Sequence, residues 1–461
     1  MQQTISALGH RAQQIFSMAN PRPPQGPNPG RSAASGAPQL PLNSRLNPLQ
    51  NDRFTGSPSG RMAAKASPQR PPQASKAHLE KITEESSETT ENALPVVDLA
   101  DFSAKDPAKR KAFVQAMGQS LKNYGFVAVD GHGVPLALLK QYYANLKDVF
   151  DLPMNTKTQY VRTENGRIRG YYELGQEYKE VPDGSGRKVA DKKENWHIGA
   201  VANVFPQEKT GTVPQLQDTA PQVYRAMEST AIQLAEAIGE FLDSEGLPDN
   251  GYLKSTMINA QGKPIGTHLL RAIHYPPVPE AERIRFQPNE PVIRAGEHDD
   301  LNLITLLPES IEPGLEILRR KNGENDHWMP VHSQNGYLIC NAGKMLSIIS
   351  GGEYGPDGEI SQQGLLPSIR HRVIGNADTL DKSRYSTPFF ATPHYDKPLK
   401  NLRTGQSLPT GEFVFRRLKE HGSIPASDDQ TYEAFRKKIA PMIIAEPDAD
   451  STTPNKSSTH D

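Results

Sequence analysis

The chain has 461 residues, 35% hydrophobic and 23% charged, with a formal net charge of −1. Its single cysteine, Cys340, excludes an intrachain disulfide and any Cys-rich zinc site, and fits a reducing, cytoplasmic compartment. The charge balance gives the folded part no nucleic-acid surface, and no apolar run is long enough to span a bilayer.

Residues 1–93 carry few apolar side chains, and 12 prolines fall in the first 75 positions, beside eight Arg or Lys and one acid, Asp52. That composition predicts a disordered basic tail, closed by an acidic hinge "LEKITEESSETTEN" at 79–92. Near its start, Ile5, Leu8, Ala12, Ile15 and Phe16 fall at helical spacing in an Arg-containing, acid-free context. Two readings stand there: a transient helical turn or two, or an organelle-targeting or effector-secretion signal. A secretory signal is excluded, because its hydrophobic region and small-residue cleavage site are missing.

Folded sequence begins near Ala93 with a short strand in "ALPVVDLADF". Phe113, Met117 and Leu121 then recur at helical spacing up to Gly125, and "FVAV" reads as a second strand. Amphipathic helices are expected around 134–151 and 220–246. From about residue 268 the texture changes to short apolar runs separated by Pro, Gly, Asn and Asp, among them "LLRAIHYPP", "GLEIL", "GYLICNAG", "HRVIG" and "RYSTPFFAT". This is the pattern of a multi-stranded β sandwich or barrel. One further helical stretch is expected over 410–441, and a polar tail over 446–461. The chain therefore divides into a tail (1–93), a helical and strand part (94–260), a β core with a C-terminal helix (261–445) and a second tail.

Within "AGEHDDLNLITLLP", His298 and Asp300 are separated by one residue, so in an extended backbone both project from one face. A bare carboxylate at the mouth of a buried strand is costly unless a positive charge compensates it. His394 and Asp396 repeat the spacing, in a Pro-flanked loop context. His371 opens another expected strand, and two histidines with one carboxylate are the facial set that holds Fe(II) with positions left open. In "SRYSTPFF", Arg384 and Ser386 share a face that Pro388 and Phe390 continue, while Tyr385 and Phe389 point away; a guanidinium fork plus a hydroxyl suits a carboxylate.

The order His298-x-Asp300, His371, Arg384-x-Ser386 resembles the Fe(II) and 2-oxoglutarate dependent oxygenases of the isopenicillin N synthase family. "LPVVDL", "NYGFVAVDGHGVP", "RGYYELGQE", "KENWHIG", "HYPP", "NAGKMLSIISGG" and "LPSIRHRVIG" follow in family order, so the resemblance covers roughly residues 94–422. It implies a mostly β, α+β fold: a double-stranded β-helix (jelly roll, cupin-like) core with a helical N-terminal part. It further implies iron on His298, Asp300 and His371, and 2-oxoglutarate gripped by Arg384 and Ser386 with Tyr275 at its other end. Dioxygen completes the cofactor set, the substrate is a small organic molecule, and the chain acts as a monomer. Asp299 is expected to face away from the metal. The segments "EYGPDGEISQQG" and "RRKNGENDHW" are longer than the family usually has, and read as solvent-facing loops. Three alternatives remain: an oxidase that dispenses with 2-oxoglutarate, an ethylene-forming enzyme, and a noncatalytic binding module on the same fold. A zinc hydrolase fits worse, since neither HExxH nor G-x-S-x-G occurs.

Overall fold

The computed structural model describes residues 94–443 apart from 164–166, 176–177, 181–187, 191, 207–214, 285, 287–290, 309, 311, 320–325, 332–335, 356–359, 376–378, 421–423 and 425–430. The expected basic tail, its helical start, the acidic hinge, the polar C-terminal tail and most of "RRKNGENDHW" lie outside the described residues.

The opening is the strand, helix, strand unit read from the sequence. β1 (Val96–Asp98) pairs in parallel with β2 (Phe126–Asp130), and the helix Pro107–Tyr124 connects them. Asp106 caps that helix by accepting from the Ala108 amide, and Gly125 ends it at φ 67°, a left-handed conformation that glycine adopts without strain. The helix Leu136–Phe150 follows, then β3 (Gly170–Tyr172), a hairpin of β4 (Tyr178–Glu180) and β5 (Lys188–Ala190), β6 (Glu194–Ile198), and the long helix Leu216–Ser244. The core then runs through β7 (Leu269–Tyr275), β8 (Val292–His298), β9 (Ile304–Pro308), β10 (Leu315–Arg319), β11 (His327–Pro330) and β12 (Leu338–Ala342). After the short helix Lys344–Ile349 come β13 (Glu353–Tyr354), β14 (Ile360–Gln362), β15 (His371–Gly375), β16 (Arg384–Ser386), β17 (Phe389–Ala391), β18 (Pro398–Lys400) and β19 (Ser407–Pro409). The single helix expected over 410–441 is two, Thr410–Glu420 and Tyr432–Ile439, the second capped by Thr431. Gly422 and Pro425, both poor helix formers, fall between them.

Two sheets build the core. The larger runs β1-β2-β12-β9-β17-β7-β6-β3, with β16 also on β7, and the smaller runs β11-β10-β15-β8. Strands distant in sequence lie side by side, as a double-stranded β-helix requires. The helices cover one face of the large sheet, where Trp196, Tyr224 and Phe389 are fully buried in one cluster that draws residues from Val97 to Ile439. Each such side chain contributes about 1.5–3 kcal/mol of transfer free energy. The other face meets the small sheet through two apolar clusters. Phe126 and Ile339 pack with Leu315, Ile317 and Met329, while Ile273 and Tyr275 pack with Ala295 and Val373. The residues singled out for chemistry border these clusters.

Candidate active site

Register brings the histidines together. β15 and β8 are antiparallel with His371 opposite His298, and the two rings stand 4.3 Å apart between centroids. The His298 Nδ1 donates to the Gly296 carbonyl (2.8 Å) and the His371 Nδ1 to the Ile369 carbonyl (3.3 Å), which leaves each Nε2 its lone pair. Asp300 follows β8 and is buried. Its Oδ2 accepts from the Thr305 hydroxyl at 2.5 Å and from the Asn341 side-chain amide at 2.8 Å. Its Oδ1 instead faces the His298 Nε2 at 4.0 Å and the His371 Nε2 at 3.8 Å. Those gaps are too long for hydrogen bonds. Three ligand atoms that lie within 4.8 Å of one another, two imidazole nitrogens and a carboxylate oxygen, form a donor set that suits a divalent iron ion.

Asp299 turns elsewhere, its Oδ1 lying 3.4 Å from the Nζ of buried Lys344. The competing pair is used structurally. Asp396 accepts from the Arg436 Nε at 2.8 Å and so ties the helix Tyr432–Ile439 to the core, with buried His394 beside it.

Antiparallel pairing of β16 with β7 sets Arg384 opposite Tyr275 and Ser386 opposite Ile273. All four are buried. The Arg384 guanidinium sits 5.4 Å over the Tyr275 ring; its Nη2 donates to Ser310 (3.2 Å), and its Nη1 finds no hydrogen-bond partner. Burial pushes this group below the ordinary arginine range, though an arginine stays charged at working pH. Sequence reasoning missed a second buried cation, Arg294, whose Nη2 donates to the Tyr275 and Pro276 carbonyls at 3.0 and 3.1 Å. Two neighbouring guanidiniums bonded to neutral acceptors and backed by an aromatic ring make a site that fits a carboxylate ligand. Tyr385 and Phe389 lie in the helix-side cluster, as the alternation of that strand requires.

The "EYGPDGEISQQG" segment contains β13 and β14, with exposed side chains at 361–363. It is nevertheless anchored: the Gln363 Oε1 accepts from the Ser347 hydroxyl at 2.8 Å and from the Ser368 amide at 3.0 Å. Ile360 and Gln363 share a cavity of about 390 Å³ with Asp299, Leu318, Ile369 and Arg370, beside the strand that carries His371.

Known proteins agree with this architecture. The family described as non-haem dioxygenase in morphine synthesis, N-terminal, matches residues 94–218, and the 2OG-Fe(II) oxygenase superfamily matches residues 266–393. The 2-oxoglutarate-dependent dioxygenase thnC of Trichoderma harzianum is 26% identical over 350 residues, 72% of this chain and 95% of that protein. Homoarginine-6-hydroxylase of Glycine max is 27% identical over 350 residues, 71% of this chain and 93% of its own. A crystal structure of a 2OG-Fe(II) oxygenase family protein from Caulobacter crescentus superposes with a TM-score of 0.54 at 29% identity, covering 71% of this chain and 99% of that one. A full-length Neurospora crassa protein crystallised in complex with alpha-KG shares the fold at a TM-score of 0.57 and 20% identity, covering 72% of this chain and 98% of that one. The chain belongs to the 2OG-Fe(II) oxygenase superfamily. It is a dioxygenase that uses Fe(II), 2-oxoglutarate and dioxygen and acts on small molecules.

Proposed function

We propose that His298, Asp300 and His371 hold the iron, that Arg384 and Ser386 grip the distal carboxylate of 2-oxoglutarate with Tyr275 at its other end, and that the enzyme hydroxylates or desaturates a small organic molecule. The observation that carries this reading is the division of labour at Asp300, one oxygen fixed by the protein and the other turned toward two imidazole nitrogens. Bound iron and 2-oxoglutarate supply the oxidising chemistry, in which dioxygen is consumed, 2-oxoglutarate becomes succinate and carbon dioxide, and a substrate C–H bond is broken. The chain's own residues position these groups. Thr305 and Asn341 aim Asp300, the carbonyls of Gly296 and Ile369 fix the imidazole tautomers, and Arg384 waits charged in a buried site. Ile273, Ala295 and Val373 keep water from the strand that carries it.

The unpartnered Nη1 of Arg384 and the nearby Arg294 suit one carboxylate, and the match to the 2OG-Fe(II) oxygenase superfamily favours that of 2-oxoglutarate over a substrate carboxylate held as in an oxidase that omits it. No helix among the described residues is long and apolar enough to cross a membrane. Free, buried Cys340 accords with a reducing, cytoplasmic location, and we take the working form as a monomer.

Metal analysis of purified variants tests the assignment. His298→Ala and Asp300→Ala should lose bound iron and all succinate formation while keeping the circular dichroism of the parent, and Asp299→Ala should retain iron. Equal iron loss in Asp299→Ala and Asp300→Ala would refute it.

A further inference from the structure

Asn195 on β6 is fully buried, yet neither its Oδ1 nor its Nδ2 has a hydrogen-bond partner. Buried amides are normally satisfied, because a donor and an acceptor stripped of water and left unmet oppose folding. The neighbours of Asn195 show which way it points. Glu194 accepts from the His274 Nδ1 at 2.7 Å and Trp196 donates to the Val204 carbonyl at 2.8 Å, both on the helix side of the large sheet. Strand alternation then turns Asn195 to the opposite face, toward the small sheet. On that face it sits between Tyr172 on β3 and Ile273 on β7, its register partners, and Ile273 belongs to the inter-sheet cluster with Tyr275.

The same face continues toward the metal ligands. Arg271, two residues before Ile273 on β7, holds its guanidinium 5.3 Å over the ring of Phe390 on β17. Phe390 pairs in register with Thr305, whose hydroxyl fixes Asp300. Asn195 stands opposite Ile273 and Phe390 opposite Leu269, so Asn195, Arg271 and Phe390 descend diagonally across three neighbouring strands over about 16 Å at the usual strand spacing and rise, with Thr305 beside Phe390 on a fourth.

Resting on the oxygenase reading above, we infer that Asn195, Arg271 and Phe390 form the recognition subsite of the prime substrate, and that this substrate carries a planar amide, either a ring lactam or a carboxamide on a flat ring. Asn195 offers one acceptor and one donor side by side, and a group with adjacent N–H and C=O satisfies both at once. A carboxylate leaves the acceptor unmet, and a single hydroxyl oxygen lacks the side-by-side donor and acceptor that meet both amide atoms in line. Phe390 supplies an apolar face for a flat ring, and Arg271 a charged donor for a further acceptor on it.

The test uses the full-length protein and 2-pyridone, a planar lactam, against N-methyl-2-pyridone, which has the same ring without the N–H. Binding is measured by anaerobic titration calorimetry, with Fe(II) and 2-oxoglutarate present and again without them. The expected result is binding of 2-pyridone at least tenfold tighter than that of its methylated analogue. In Asn195→Leu the preference disappears, 2-oxoglutarate affinity stays within twofold of the parent, and the melting temperature does not fall. Asn195→Asp, nearly the same shape without the donor, weakens 2-pyridone binding in the same way. Absence of any preference in the parent overturns the inference. So does a preference that survives in both variants, or a lower melting temperature with binding intact, which would make Asn195 a structural residue. Failure of the parent to bind 2-oxoglutarate would instead sink the oxygenase reading, and the titrations without cofactor still decide the subsite.

Discussion

Asp300 owes its fixed orientation to two side chains that sequence inspection passed over. Thr305 and Asn341 both donate to its Oδ2, so Thr305→Val or Asn341→Leu should weaken iron binding by about 10–100-fold, read as the Fe(II) dissociation constant in an anaerobic titration. Unchanged affinity in both would mean that the carboxylate finds its position unaided. Arg384→Ala removes a charge-assisted pair worth about 1.5–3 kcal/mol, which corresponds to a rise of roughly 10–150-fold in the 2-oxoglutarate requirement with iron content preserved. Replacing Asp299 takes a carboxylate away from buried Lys344, so its effect should appear in the melting temperature and not in bound metal. Of the proposed site, the spacing of His298 with Asp300 and of Arg384 with Ser386 stands in the sequence itself, whereas His371 and the roles of all five come from the family resemblance. Asn341 lies 41 residues from Asp300, and Arg294 is defined by carbonyls on another strand, so only the folded register assigns them roles.

At the level of elements, apolar strands such as β2, β7, β9, β12 and β15 announced themselves by pattern, whereas β6 did not. Its sequence, Glu194 to Ile198, alternates in the wrong sense for a buried strand, because Glu194, Asn195 and His197 are polar and all are buried. Glu194 survives there through partners from three segments. Burial by itself raises its pKa, but hydrogen bonds from the His274 Nδ1 (2.7 Å), the Lys157 Nζ (2.7 Å) and the Tyr171 hydroxyl (2.5 Å) outweigh that, and the carboxyl is held below its ordinary value. His274 in turn stacks on Tyr385 at 4.8 Å, so this network braces β7 and β16, the strands carrying Tyr275 and Arg384. Because the folded pKa is depressed, the contribution of Glu194 is complete above the unfolded carboxylate value near 4.5 and is lost as pH falls through the lower, folded value. Glu194→Gln leaves Lys157 buried without its counter-charge, which should cost about 3–5 kcal/mol near neutral pH. Thermal melts from pH 7 down to pH 3 should show that deficit shrinking, and a constant deficit would contradict the charged network.

For the molecule as a whole, the helix Leu216–Ser244 sets Glu228 against His268, which precedes β7, in a second buried pair with the opposite behaviour. Burial pushes the Glu228 carboxyl up to about 7 and the His268 imidazole down to about 3, and the Glu228 Oε1 lies 3.8 Å from the His268 Nε2. Both groups are therefore neutral in the folded state near pH 6. With the folded pKa of Glu228 raised above its unfolded value of 4.5, folding is penalised progressively as pH climbs from about 4.5 to 7. Glu228→Gln should therefore melt higher than the parent above pH 7, and the gain should diminish toward pH 5; a gain independent of pH would disprove the titration. The overall architecture was legible only in part. Short apolar runs specify a β sandwich or barrel, while the jelly roll came from resemblance, and nothing in the N-terminal half announced that β1, β2, β3 and β6 complete the large sheet. Those strands gain their partners only when distant segments meet. The most direct measurement of the central claim is anaerobic titration of the Fe(II)-loaded protein with 2-oxoglutarate, followed by visible absorption and then by succinate after air is admitted. The account predicts a weak visible charge-transfer band that saturates, needs far more 2-oxoglutarate in Arg384→Ala, never forms in Asp300→Ala, and precedes succinate release; iron binding without a band or succinate would contradict it.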